Sequence, residues 1–384
     1  MVWRIGWEGI WLMSVFARNL LMASSQQQSA ISHLVLPLVD PNTALYAVFV
    51  DISDPTNMSI SGHHQVSTTS ASILYPSLIS DVKRKIVFVS DAQDSGTIKA
   101  INATNASSAT SIWTRTDIVN PSVLVNDNDK GVIYATGRIS GVYDQLVSLN
   151  RNTGATVGSL DLSSYVDTNQ GTYSATPIEG GDRLLVVTHG GASAGQSTIV
   201  IVDTSDPANM TVSDTALDQA GNIASFETNG AVWDAGSEIF WFCADDSTNS
   251  VHGAYGLTKS GTSFTNSYTL NMYDVSSIAS PKCIVQDTAD DFIVLSNGLS
   301  SWRVFDVTTP SSPSTLYNSS SVGIRTMSYD PSTKYIFGAE NYDKFVSVDM
   351  STPSSPTTYT LVPSTPYSTW TGQAISRGFE CTLV

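Results

Sequence analysis

A few short stretches carry the residues best equipped for chemistry. Gly191-Ala192-Ser193-Ala194-Gly195 satisfies G-x-S-x-G, with His189 just upstream. A nucleophilic serine in that motif needs a strand–turn–helix that strains it at a helix start. Here Leu184–Val187 and Ile199–Val202 flank the motif as two apolar strand-like runs. It therefore reads as a small-residue loop. Asn126-Asp127-Asn128-Asp129-Lys130-Gly131 has the start of a calcium loop. The bidentate acid about twelve positions on is missing, because Arg138 or Ile139 stands there. A hairpin turn is the favoured reading. His63 and His64 are adjacent, and neighbouring strand residues point to opposite faces, which argues against a metal pair. Cys243, Cys283 and Cys381 lack C-x-x-C spacing and sit in apolar runs, as buried thiols do. No spacing calls for a metal or a cofactor, and no catalytic residue is assigned.

The elements that hold these residues repeat. Short Val/Ile/Tyr/Phe runs alternate with Gly/Asp/Asn/Ser/Pro clusters, the pattern of an all-β chain. Val48-Phe49-Val50-Asp51-Ile52-Ser53-Asp54-Pro55 aligns with Val200-Ile201-Val202-Asp203-Thr204-Ser205-Asp206-Pro207. Arg303–Pro310 and Val346–Pro353 match both. Weaker copies end at Asn102, Asn150 and Thr258. The register residues 51, 102, 150, 203, 258, 306 and 349 recur at propeller-blade spacing. An apolar hairpin precedes each copy, which predicts four-stranded blades with inner strand A, then B, C and outer D. The last hairpin ends at Phe379–Val384, so the two chain ends are expected to share one blade. That strand is expected to pair with the one around Val48–Asp51. The expected fold is a seven-bladed all-β propeller over 31–384, preceded by an apolar leader and linker over 1–30.

This topology sorts the polar residues onto two faces. The A–B turns carry Asp81, Asp182, Asp234, Asp290, Asp291 and Asp330, so one face should bear a solvated acidic ring. The B–C and D–A loops of the other face collect aromatic, His and Arg residues, as recognition surfaces do. Arg138, Tyr143, His189, His252, Trp302 and Tyr342 are the candidate partner-binding residues there. His63, His64, Tyr165, Tyr173, Tyr367 and Trp370 fall in D–A segments.

Composition narrows the partner. The 384 residues carry 18 Lys+Arg against 34 Asp+Glu, a formal charge of −16, without a basic stripe. Binding to a phosphate backbone is thereby disfavoured. Only 14 % of residues are charged, well below the ordinary share of about 25 %. Residues 1–30 differ from the rest: Trp3, Trp7 and Trp11 precede an apolar run over Ile10–Ala23 that Arg18 interrupts. A cleaved secretory signal with Ala23-Ser24-Ser25 at its end is one reading. A stable membrane span is disfavoured, because about 20 uninterrupted apolar residues are lacking.

Two resemblances add to this. Ile199–Pro207 resembles the LVIVD repeat of bacterial and archaeal propellers, which implies an extracytoplasmic or surface-associated propeller without known catalysis. Met13–Ser24 resembles the opening of tailed-bacteriophage structural proteins, which implies a virion appendage docked through its N-terminal segment. Trp233-Asp234 does not place the chain among WD40 proteins, whose Trp-Asp ends strand C. The expectation is a non-enzymatic binding or structural propeller displayed on a virion (phage tail or appendage) or cell surface, recognising a protein or glycan. Two alternatives stay open: a secreted bacterial LVIVD-type surface protein, and a lactonase-like propeller hydrolase that would use His189, Arg138 and Asp245.

Overall fold

The computed structural model describes residues 31–40, 44–68, 77–91, 96–139, 142–165, 172–189, 197–216, 223–224, 230–246, 251–272, 281–298, 301–320, 323–340, 344–364, 367–369 and 381–384. These form seven antiparallel sheets, the blades of a propeller, with three single-turn 3-10 segments among them. Blade 2 is Leu78–Asp81, Ile86–Asp91, Thr97–Asn102 and Thr110–Arg115, in the order A, B, C, D. Blades 3, 4, 6 and 7 repeat that order with A strands Val119–Asp127, Thr172–Ile178, Cys283–Asp287 and Ile324–Asp330. In blade 5 two short pieces, Ile223–Ala224 and Ala231–Asp234, both pair with strand B, Ile239–Asp246. All seven register residues lie in C strands, and six of them are the last residue of theirs.

Burial follows position in the blade. Phe292–Ser296, strand B of blade 6, is buried throughout, because it is covered by a blade on each side. Outer strands such as Thr156–Asp161 alternate exposed and half-buried residues, since only one face meets a neighbour. The core is thus a series of apolar layers between blades. Trp241, Phe240, Phe242 and Phe49 are among its largest members.

The ring closes through blade 1, with a different division of strands from the one expected. Thr382–Leu383 is the innermost strand and pairs with His33–Val39, not with Val48–Asp51. His33–Val39 is strand B and pairs along its whole length with Leu45–Asp51. One strand therefore comes from the C-terminus and three from the N-terminal side. His-Leu-Val-Leu-Pro-Leu-Val lacks alternation and carries Pro37, features that hide an inner strand. Its described pairing with strand A involves only Leu34 and Val35, so Pro37 lies beyond it. The closing segment is tied to three blades. His33 N–H donates to Val384 O at 3.0 Å, Ser80 Oγ to Leu383 O at 2.5 Å, and Ser328 Oγ to Cys381 O at 2.8 Å.

The Asp-x-Ser-Asp-Pro loops after strand C have two structural roles. Asp51 Oδ1 accepts from Ser53 N and Oγ at 2.9 and 2.6 Å, and Asp203 and Asp349 repeat this with Ser205 and Ser351. The first two loops also seat on the preceding blade. Ser347 Oγ donates to Pro55 O at 2.5 Å and Ser148 Oγ to Pro207 O at 2.6 Å. Gly158 allows the second contact, since a Cβ there would stand 2.4 Å from Pro207 O.

Candidate functional site: two faces of the ring

On the A–B face, strand A ends in aspartate in five blades: Asp81, Asp127, Asp234, Asp287 and Asp330. All five are buried, which corrects the expected solvated ring at Asp81, Asp234 and Asp330. Asp182 and Asp290 remain exposed. Burial is tolerated because each Oδ1 caps its own turn. Asp127 Oδ1 accepts from Asp129 N and Lys130 N at 3.1 and 3.0 Å, and Asp234 Oδ1 accepts from Gly236 N and Ser237 N at 2.8 and 3.1 Å. Charge-assisted bonds from backbone N–H replace the lost water. Several Oδ2 atoms reach the next blade. Asp81 Oδ2 lies 3.1 Å from Arg151 Nη1, Asp234 Oδ2 accepts from Gln286 Nε2 at 3.0 Å, and Asp287 Oδ2 accepts from Tyr329 OH. Burial, followed by the Asp287 carboxylate, pushes the Tyr329 phenol well up. The Asn126–Gly131 stretch is an A–B turn, as favoured. No group of three His, Cys, Asp or Glu poised for a metal occurs among the described residues.

Of the six candidate residues assigned to the opposite face, the structure describes the side chains of Trp302 and His252. Trp302 is 1 % exposed and packs on Tyr317 with ring centroids 5.0 Å apart, so its ring is interblade core. This corrects its assignment as a binding residue. Trp302 opens strand C, and its side chain turns into the layer shared with Val294 and Val346 rather than toward the loops. His252 is half-buried on Val251–Ser260, with its backbone opposite Asp245. Arg138 and Tyr143 are brought close by backbone, on paired strands Val132–Ile139 and Val142–Asn150. His189 ends Arg183–His189 opposite Ser197. The side chains of Arg138, Tyr143, His189 and Asp245, and all of Tyr342, Trp370 and the G-x-S-x-G stretch, lie outside the described residues.

Two residues of the D–A set do meet. His63 Nδ1 and Tyr367 OH are 3.0 Å apart, and Tyr46 packs edge-on against His63 at 5.3 Å. His64 turns the other way, with Nδ1 2.9 Å from Ala109 O and Nε2 2.9 Å from Ser111 Oγ. Burial lowers the His64 pKa. The adjacent histidines thus face opposite sides. Cys243, Cys283 and Cys381 are buried and form no disulfide. No helix among the described residues is long and apolar enough to cross a membrane.

The faces differ most in loop length. The six continuous A–B turns, 82–85, 128–131, 179–182, 235–238, 288–291 and 331–334, each hold four residues. In sequence, the described D and A strands are separated by three residues at 116–118 and by twenty at 362–381. Sequence reasoning could have found the buried Asp ring from one signal, an aspartate five residues before strand B in five blades.

Comparison with known proteins agrees with this architecture. The chain carries the LVIVD repeat, matched at residues 46–66 and 194–217. Those two copies contain Pro55 and Pro207, the prolines whose carbonyls the preceding blade grips. No curated protein matches the sequence. Among solved structures, the chain is similar to a candidate 6-phosphogluconolactonase of Bacteroides fragilis, with a TM-score of 0.67 at 11 % identity over 94 % of this chain and 99 % of that one. It is also similar to a periplasmic gluconolactonase of Pseudomonas aeruginosa, with a TM-score of 0.64 at 12 % identity over 92 % and 99 %. AztD of Citrobacter koseri gives 0.52 at 14 % identity over 88 % and 83 %. At such identities the likeness is one of fold.

Proposed function

We propose that this chain is a non-enzymatic binding and structural propeller, displayed on a virion or at a cell surface. It recognises a protein or glycan through the B–C and D–A connections, and residues 1–30 attach it to a larger assembly or direct its export. The observation that carries this reading is the contrast in loop length. In repeat proteins, insertions that vary from repeat to repeat gather on one face, often the binding face. Here the A–B turns keep one length, while the stretch of sequence between described D and A strands ranges from three residues to twenty. Arg138, Tyr143 and His189 stand at the strand ends from which the varied B–C loops spring.

The test is binding of the full chain to a glycan array and to host-cell surface protein. Replacing 190–196 with a three-residue Gly/Ser turn should abolish the strongest signal and leave the melting temperature unchanged. Removing residues 1–30 should leave the signal intact while abolishing assembly or export. The lactonase alternative is checked by hydrolysis of a sugar lactone. Turnover that disappears in His189→Ala would replace recognition with catalysis as the reading.

A further inference from the structure

The outer edge of each blade is strand D, half of whose backbone N–H and C=O groups point away from strand C. Such an edge is a template for a further strand, and a β-bulge is one way a fold blunts it. Six blades carry a bulge at the same place. In each, the C–D pairing slips by one residue between the second and the first residue before the register residue. The slips fall at 49/50, 100/101, 148/149, 201/202, 256/257 and 304/305. The extra residues they leave in strand D are Ser61, Ile112, Val157, Ser213, Ser267 and Leu316.

Blade 7 breaks the rule. Its strand D, Thr357–Leu361, pairs with strand C in unbroken register, from Phe345 opposite Leu361 to Asp349 opposite Thr357. Val362 follows directly and is 66 % exposed, the most of any large apolar side chain among the described residues. The next two, Ile112 and Val157, are bulge residues, turned outward where the edge is already broken. Blade 7 thus pairs a straight edge with an uncovered apolar side chain.

Two properties of this edge select its occupant. Residues 350–376 contain no Asp, Glu, Lys, Arg or His, in a chain whose formal charge is −16. Two copies can therefore meet here without setting like charges opposite each other. The strand is also self-complementary, since antiparallel pairing of a strand with its own copy is two-fold symmetric and closes at a dimer. Centred on Tyr359, such a pair sets Thr358 opposite Thr360, a favourable cross-strand combination. Val362 then falls opposite Pro356, apolar against apolar, and Pro356 ends the pairing because it has no N–H.

We propose that strand Thr357–Leu361 of blade 7 is a dimerisation edge, occupied by the same strand of a second copy of this chain. Two five-residue strands and their flanks bury less than the roughly 1,200 Å² of a standard stable interface, so the dimer is weak and reversible. The edge lies on the outer wall of the ring, and the argument does not depend on the recognition surface proposed above.

Sedimentation equilibrium of the full chain over a wide concentration range tests this. A monomer–dimer equilibrium should appear, and raising salt should strengthen it by screening the repulsion between two acidic rings. Hydrogen exchange should show protection of the 357–361 amides that grows with protein concentration. The Thr358→Lys/Thr360→Lys double variant changes two exposed side chains and sets lysine against lysine across the pair. It should raise the dissociation constant at least tenfold with an unchanged melting temperature, although it brings the net charge nearer to zero. Val362→Ser should weaken the dimer a few-fold. Thr315→Lys, exposed on the bulged strand D of blade 6, is the control and should leave the dimer intact. A chain that stays monomeric throughout, a dimer that the double lysine variant leaves intact, or one that salt dissociates would overturn the proposal. So would protection of 357–361 that appears only when a different protein is added.

Discussion

The A–B turns and the D–A connections are built from the same residue types but obey different rules. In the A–B turns each buried aspartate caps its own turn, and three of the five, Asp81, Asp234 and Asp287, also reach the neighbouring blade, so neither loop length nor side chain can drift there. Asp81 shows this: Oδ1 accepts from Arg84 N at 3.2 Å, while Oδ2 faces Arg151 of blade 3. Among the described residues of the D–A connections no such common polar tie occurs. Polar residues on the first face hold the ring together, and those on the second are free to specialise. A cluster of acids in sequence is therefore not a surface charge until its hydrogen bonds have been counted.

The largest effect should come from breaking the ring itself. Deleting residues 381–384 removes buried Cys381, Leu383 and Val384 together with the ties to blades 1, 2 and 7. Large buried side chains are worth about 2–5 kcal/mol each, so their sum rivals the whole stability of a domain, about 5–15 kcal/mol. The truncated chain should fail to give a cooperative urea transition. An unchanged midpoint would show that the closure is dispensable.

Next in size is the aspartate ring. Asp81→Ala leaves Arg151, itself buried, without its carboxylate and uncaps a turn. Breaking a buried pair in this way costs about 3–5 kcal/mol. His252→Ala, on the half-buried opposite face, should cost well under half as much in the same denaturation series. Equal losses at the two positions would erase the distinction between the faces.

Much of this fold was legible before the structure. Apolar runs marked the C strands, and in four of them a loop from Asp to Pro sharpened the signal, since such a loop turns the chain and, at Pro55 and Pro207, seats on a neighbouring blade. Strand B of blade 1 was missed because a strand buried on both sides has no alternation to read, and Pro37 counted against it. The buried Asp ring was visible as positions but not as burial, since a carboxylate's environment depends on backbone N–H groups that only the folded turn supplies. Trp302 was misjudged for a related reason. The first residue of a strand looks like loop from sequence, whereas its side chain already belongs to the interblade layer.

A pH dependence follows from the turns after strand C. Hydrogen bonds from Ser53, Ser205, Thr308 and Ser351 hold Asp51, Asp203, Asp306 and Asp349 below the ordinary value of 3.8. A depressed carboxylate stabilises the folded state above its unfolded pKa and loses that contribution as pH falls through the folded one. Stability should therefore be flat from neutral pH to just above 3.8 as far as these groups are concerned, and decline below it. These side chains are only half-buried, so solvent screening keeps each contribution small. Asp349→Asn should reduce the slope of urea midpoint against pH below 3.8. A slope unaltered by that substitution would place the acid sensitivity elsewhere.

The smallest effect separates backbone from side chain within the fixed-length turns. Their fourth residue is left-handed in five blades: Lys85, Gly131, Glu238, Asp291 and Lys334 have φ of 55°, 69°, 53°, 51° and 60°. Only Gly131 is the residue for which that region is free of a Cβ penalty. A Cβ at Gly131 would meet nothing within 4 Å, so Gly131→Ala changes backbone strain alone. It should cost about 1 kcal/mol, the low end of the left-handed penalty. Asp291→Gly is the reverse exchange in blade 6. Relief of that strain is opposed by about 0.5–1 kcal/mol of extra chain entropy in the unfolded state, so the net change should stay within about 0.5 kcal/mol. Both are read from urea midpoints at constant slope. If Gly131→Ala is neutral, the four non-glycine turns are unstrained, and their fixed length reflects the aspartate caps alone.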